Sequence, residues 1–180
     1  KDVTKHATIP FKAAGEAIIV IGETKGHLGQ SIYLREILGR EEGAPPPVDL
    51  KIERRNGDFI RELITSGHVT AVHDCSDGGL AIALVESAIE GGHGFAVSIG
   101  SDLPAHVALF SESASRVVVG VAPERERALV ELVGALGVPA ARLGETGGPR
   151  VVFDGMFETT VAELSEIHET AIPRLLGEAV

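Results

Sequence analysis

Residues 73–79 read His-Asp-Cys-Ser-Asp-Gly-Gly, and no other stretch of this chain carries as many groups able to do chemistry. An apolar, β-type run at 69–72 leads into this polar turn, and an apolar helical run from Leu80 to Ile89 leaves it. Asp74, Asp77, Ser76 and His73 therefore stand where a strand hands over to a helix. Backbone amides at a helix N-terminus are free, and the helix dipole adds positive potential there. Gly78 and Gly79 allow another group to approach the backbone closely. That pattern suits a phosphate, with Ser76, Gly78 and Gly79 as the binding residues, or a metal bridging to a phosphate through Asp74. A plainer reading stands beside it: Asp74, Ser76 or Asp77 caps the helix, and His73 is a satisfied histidine at a strand end. A cap needs one residue, whereas this turn brings several polar side chains and two glycines.

A second polar stretch, 22–31, also joins a strand to a helical run. Gly26 and Gly29 can open its backbone amides, Thr24 and Ser31 bring hydroxyls, and Lys25 a cation. This is a phosphate cradle by nest geometry, or an ordinary strand–helix turn. It is no Walker A loop, because the Gly-Lys-Ser/Thr ending is missing. A third stretch, Ser111-Glu112-Ser113-Ala114-Ser115-Arg116, precedes an apolar strand. Glu112 and Arg116 read either as a surface ion pair or as a carboxylate placed near a nucleotide or a domain seam.

Nucleophilic catalysis fits poorly. Cys75 is the single thiol and is flanked by the anionic Asp74 and Asp77, which raise a thiol pKa. Ser76 lies in no Gly-x-Ser-x-Gly elbow. The seven histidines show no zinc-ligand spacing; His27, His68, His93, His106 and His168 read as surface or turn residues.

The elements that must hold these groups alternate. Strands are expected at 17–21, 69–73, 95–99 and 116–121. Two shorter ones, 140–144 and 150–153, are expected to face each other across 146–149. Helices are expected from Ile32 to Leu38 (ended by Gly39), at 48–66 with a bend at Asn56-Gly57, at 78–91, around 104–109, from Pro123 to Leu136, and at 160–177. The proline-rich stretch 40–47 is a loop. The fold class is then α+β or α/β, a mixed sheet of about four to six strands with helices packed on it. One domain is expected over 16–180, preceded by an irregular segment at 1–15.

With 16 basic against 26 acidic residues the net charge is −10, which repels a phosphate backbone and argues against nucleic-acid partners. The aromatic share is 4% and Trp is absent, so base-stacking platforms are not expected. One cysteine allows no internal disulfide and points to a reducing cytoplasm. No apolar run reaches the roughly 20 residues needed to cross a bilayer, so no membrane partner is expected. The opening Lys-Asp-Val-Thr-Lys-His has no signal-type apolar region and no initiator Met, which suggests a piece of a longer protein.

Three motifs occur in order: Thr-Lys-Gly-His-Leu-Gly-Gln-Ser-Ile-Tyr-Leu at 24–34, His-Asp-Cys-Ser-Asp-Gly-Gly-Leu at 73–80 and Leu-Phe-Ser-Glu-Ser-Ala-Ser-Arg-Val-Val-Val-Gly-Val at 109–121. Together they resemble the C-terminal domain of the aminoimidazole ribonucleotide synthetase superfamily. Within it they are most similar to the phosphoribosylformylglycinamidine synthases (the PurL family). The resemblance covers nearly the whole chain. It implies a ferredoxin-like core elaborated into α/β/α layers. It also implies an ATP-dependent C–N ligase of purine biosynthesis, which converts formylglycinamide ribonucleotide and glutamine-derived ammonia to the amidine. ATP or ADP and Mg²⁺ would be the cofactors, with Asp74 at the metal and Ser76 at the nucleotide. The remaining domains of the same enzyme would be partners, as would a glutaminase and a small accessory subunit in its small form. The His, Lys and acidic residues that the family uses for chemistry lie outside this chain, so no catalytic residue is expected here and the piece alone should be inactive. Where the family has Leu-Gly-Gly-Ser, this sequence has Leu28-Gly29-Gln30-Ser31, which puts a side chain where a bare backbone is usual. Two other readings remain. One is another ATP-using enzyme of the superfamily, such as a hydrogenase maturation factor, selenophosphate synthetase or thiamine-phosphate kinase. The other is a non-catalytic interaction module whose polar turns are only caps.

Overall fold

Ala17–Ile21 (β1) is apolar at every position because both of its faces are covered. Side chains alternate along a strand. Ile18 and Val20 enter one hydrophobic cluster, and Ala17, Ile19 and Ile21 enter another on the opposite side. The computed structural model describes residues 2–177; the expected domain limits at Lys1 and at 178–180 lie outside the described residues.

The other strands are Ala71–Asp74 (β2), Phe95–Val97 (β3), Val117–Val121 (β4), Ala140–Thr146 (β5), Arg150–Phe153 (β6) and Phe157–Thr160 (β7). They form one seven-stranded sheet in the order β2-β4-β1-β5-β3-β6-β7. The helices are Leu50–Thr65 (α1), Gly79–Gly91 (α2), Ala105–Phe110 (α3), Pro123–Leu136 (α4) and Val161–Leu175 (α5). In the run β2, β4, β1, β5 each strand is antiparallel to its neighbour. α1 follows β1 and α4 follows β4, and both pack on the same face through Phe59, Leu63 and Leu129. This is the split βαβ arrangement of a ferredoxin-like core. The segment between β2 and β4 adds α2, β3 and α3. With α5, it covers the second face around Leu80, Leu84, Leu109 and Val161. The layers are α/β/α, as the motif resemblance implied.

Four expectations need correction. Strands 140–144 and 150–153 do not face each other: β3 lies between them, antiparallel to β5 and parallel to β6. Gly94 donates its N–H to Gly148 O and accepts from Gly147 N, both at 2.8 Å, which ties the two turns together and seats β3 in the gap. The sheet also has more strands than expected, because β7 lies in a stretch for which no element is expected. The helix expected over Ile32 to Leu38 is a single wide turn, Tyr33–Ile37. Ile37 and Leu38 are exposed, so no core supports a longer helix there. Asn56-Gly57 does not interrupt α1. Asn56 is buried and donates from Nδ2 to Ser115 O at 3.0 Å, while Asp49 caps the helix by accepting from Lys51 and Ile52 N–H.

Candidate functional site

β2 ends at Asp74, and its carboxylate stands in solvent with 71% of the side chain exposed. Ser76 Oγ donates to Asp74 Oδ2. That bond, with smaller help from the Asp74 backbone N–H and His73, holds the Asp74 carboxyl below its ordinary value against the opposing effect of burial. His73 Nδ1 lies 3.5 Å from Asp74 Oδ1, and its Nε2 lies 2.8 Å from Glu86 Oε2 on α2. His73 is thus held between two carboxylates. Ser76 and Asp77 are exposed, whereas Gly78 and Gly79 are buried.

The burial of these glycines corrects the amide-cradle expectation. The group that approaches Gly79 closely is the protein itself: a Cβ at this position would lie 2.4 Å from Ser111 O. The Gly79 N–H is used within the turn by Ser76 O at 3.1 Å. The Gly78 N–H donates to Glu112 Oε1 at 2.9 Å.

The 22–31 loop is likewise engaged from inside. Thr24 Oγ1 accepts from Arg116 Nη1 at 3.1 Å. Lys25 N–H donates to Ser113 Oγ at 3.0 Å, and His27 O accepts from Glu112 N–H at 2.9 Å. Gly26 packs against Val107, and Gly29 leaves room for the Ala44 carbonyl, which a Cβ there would meet at 2.1 Å. Ser31 is buried, and its Oγ accepts from Leu34 N–H as a cap on the short helical turn. Gln30 takes φ 60, in the left-handed region that glycine adopts without strain. Thr24, Gly26, Gly29, Ser31, Gly78 and Gly79 therefore shape this corner of the fold, and Asp74, Ser76 and Asp77 are its exposed polar edge.

The surface ion pair expected between Glu112 and Arg116 does not form. Arg116 is 2% exposed. It donates from Nε to Ser113 O at 3.0 Å, from Nη1 to Thr24 and from Nη2 to Ser111 O. Burial pulls its pKa down, opposed by the nearby Cys75 and Glu112. Glu112 turns the other way, and its Oε1 accepts from both Gly78 and Ile32 N–H, each at 2.9 Å. Its Ser-Glu-Ser context is the signal that was available, but its two partners lie 34 and 80 positions away.

Among the described residues no group of three or more His, Cys, Asp or Glu side chains is placed to hold a metal. Asp74 offers one ionised, exposed carboxylate beside the Ser76 hydroxyl. This fits the usual protein share of a Mg²⁺ site, in which one or two carboxylates are completed by water and substrate phosphates.

Cys75 is buried beneath the turn, and its N–H donates to Arg116 O at 3.0 Å. Burial pushes the thiol from the ordinary 9.0 up to about 11, with Arg116 opposing and Asp74 adding to the rise. The folded pKa lies above the unfolded one, so this group's stabilisation is complete below about pH 9 and is lost as pH rises toward 11. Alkaline unfolding curves of the protein and of Cys75→Ala should therefore diverge in that window. Thiol alkylation at pH 8 should be blocked in the native chain and rapid in denaturant.

The family model described as AIR synthase related protein, C-terminal domain, matches residues 13–154. The chain is 48% identical over 179 residues to "Phosphoribosylformylglycinamidine synthase subunit PurL" of Methylocella silvestris, covering 99% of this chain and 24% of that protein. It therefore spans about a quarter of the length of the curated relatives it matches. Among solved structures, T. maritima PurL complexed with FGAR superposes with a TM-score of 0.76 at 20% identity, covering 91% of this chain and 30% of that one. T. maritima PurL complexed with ATP gives 0.70 at 19% identity, covering 91% and 28%. At these identities the superpositions speak to the fold, and the α/β/α layering around a ferredoxin-like core is shared. With residues 13–154 of its 180 matched, this chain belongs to the family of AIR synthase related C-terminal domains.

Proposed function

We propose that the chain works as a domain of a PurL-type phosphoribosylformylglycinamidine synthase, on the nucleotide side of that enzyme. The observation that carries this reading is 48% identity to a PurL subunit along 99% of the chain. In the proposed reaction ATP phosphorylates the amide oxygen of formylglycinamide ribonucleotide. Glutamine-derived ammonia then displaces the phosphate, which leaves the amidine, ADP and inorganic phosphate. The groups that would bond to the reacting atoms belong to the rest of the enzyme, and the 180-residue chain should not turn over alone. Its partners in this reading are the remaining domains, with a glutaminase and a small accessory subunit in the small form of the enzyme. The compartment is the cytoplasm. No helix of the described residues is long and apolar enough to cross a membrane.

Asp74 would hold Mg²⁺, with Ser76 beside it toward the nucleotide. When bound, the ion supplies positive charge against the phosphate oxygens of ATP or ADP. Asp74 is suited to this because it is already ionised and exposed. Ser76 fixes its orientation, and Glu86 fixes His73 behind it. Gly78, Gly79, Thr24, Gly26, Gly29 and Ser31 support the ligand edge by holding the turn and loop in shape.

The test is calorimetry of the full chain with Mg²⁺ and ADP, alongside Asp74→Ala. The expected result is binding that weakens by about tenfold or more in the variant, because one of the ion's few protein ligands is gone. Equal affinity in the two proteins, or no binding by either, would remove the turn from the nucleotide site.

A further inference from the structure

One carboxylate oxygen joins the two polar corners of this fold. Glu112 Oε1 accepts the N–H of Gly78, just ahead of α2, and the N–H of Ile32, just ahead of the Tyr33–Ile37 turn. Both amides belong to helix starts, where no earlier carbonyl is available to them and where an anion is favoured. The segment carrying Glu112 is fastened on both sides. Glu112 N–H is bonded to His27 O, Ser113 Oγ to Lys25 N–H, and the buried Arg116 to the carbonyls of Ser111 and Ser113. Ser111 and Ser113 are themselves buried.

We propose that Glu112 is the positioning residue of the candidate site. Its carboxylate is a built-in anion that fills the niche between the two helix starts and sets the 73–79 turn against the 22–31 loop. With that niche filled, a ligand's phosphate meets the turn at its exposed Asp74–Ser76–Asp77 edge and not at the Gly78 amide. The consequence for nucleotide affinity rests on the function proposed above; the filling of the niche does not.

The experiment compares Glu112→Ala and Glu112→Gln in the full chain, with sodium formate as the added anion and sodium chloride at equal ionic strength as its control. Glu112→Ala orphans two amides and should lower the melting temperature by roughly 5–10 °C. Formate should return part of that loss and chloride none of it, because formate supplies the missing carboxylate. Glu112→Gln keeps an acceptor oxygen in place and should fall between the two proteins with no response to formate. A merely space-filling glutamate predicts a different set: Glu112→Ala insensitive to formate, and Glu112→Gln as stable as the parent. That set overturns the proposal, as does a Glu112→Ala variant with an unchanged melting temperature. Mg²⁺–ADP calorimetry is the second readout: affinity should drop in Glu112→Ala and recover with formate. Thermal rescue by formate in a chain that binds no ADP would sink the nucleotide reading and leave the niche assignment standing.

Discussion

Gly79→Ala should be the most damaging small substitution in the candidate site, lowering the melting temperature by roughly 5–15 °C, or about 2–5 kcal/mol. Two costs add. Gly79 has φ 70, a left-handed conformation that an L-residue adopts at a penalty. The new methyl would also lie 2.4 Å from Ser111 O, 2.9 Å from Phe110 C and 3.0 Å from Leu109 O. All three are backbone atoms at the end of α3, so no side chain can rotate away. Either α2 separates from α3, or the turn carrying Asp74 and Ser76 moves with it. Gly78→Ala is the control. Its φ of 76 carries the same conformational penalty, and its methyl would meet Ile82 Cγ1 at 2.4 Å and Cβ at 3.0 Å, the root of a stiff β-branched side chain. Gly78→Ala should still cost less, because one side chain and not three backbone atoms must move. Thermal unfolding of the two variants decides the matter: equal losses would mean that backbone conformation, and not the α2–α3 approach, makes glycine necessary at 79.

Arg116→Ala should cost about 3–5 kcal/mol. The guanidinium is buried, and its three hydrogen bonds go to Ser111 O, Ser113 O and Thr24 Oγ1. Truncation leaves two carbonyls without a donor, opens a cavity and releases the strap at 111–116 that holds the loop. Arg116→Met separates the causes. Methionine keeps much of the apolar stem and also removes the penalty of burying a cation, so its cost should be smaller, about 1–3 kcal/mol. Urea unfolding midpoints provide the comparison. If Arg116→Ala stayed within about 1 kcal/mol of the parent, water would be replacing the guanidinium and the strap would be anchored elsewhere. The expected loss should extend to the site, since Glu112 lies inside this strap and its two amide contacts depend on where the strap sits.

Much of the architecture is legible in local pattern. The five apolar residues of β1 announce a strand covered on both faces. Pro123 and Gly137 frame α4, with proline at its first turn and glycine at its left-handed end. Thr160 and Glu163 form the capping box that opens α5. The start of α2 is expected at 78 and lies at Gly79. These signals are legible because each acts over a few positions: a helix cap, a turn and an apolar repeat are complete within their own segment. The short strand β7 escaped because its Phe-Glu-Thr-Thr has little apolar alternation, and it exists mainly by pairing with β6.

The chemistry of the polar corner divides the same way. From residue types alone the sequence placed the acidic and hydroxyl groups of 73–77 at a strand–helix junction and made Cys75 an unreactive thiol. Its acidic balance argued against nucleic acid, and its motifs matched those of a superfamily. Tertiary structure decided which groups remain free. Gly78 and Gly79 read as open amides, yet one is taken by Glu112 and the other is closed under Ser111. Arg116 and Glu112, four apart and of opposite sign, read as a pair, yet one is buried among carbonyls and the other reaches back to Ile32. Strands β5 and β6 read as a facing pair, yet β3 stands between them. Apolar periodicity records which face of an element is buried, because burial acts on side chains that differ from residue to residue. A backbone N–H or C=O is the same at every position and carries no mark of its partner, so only the folded chain determines which distant acceptor it meets.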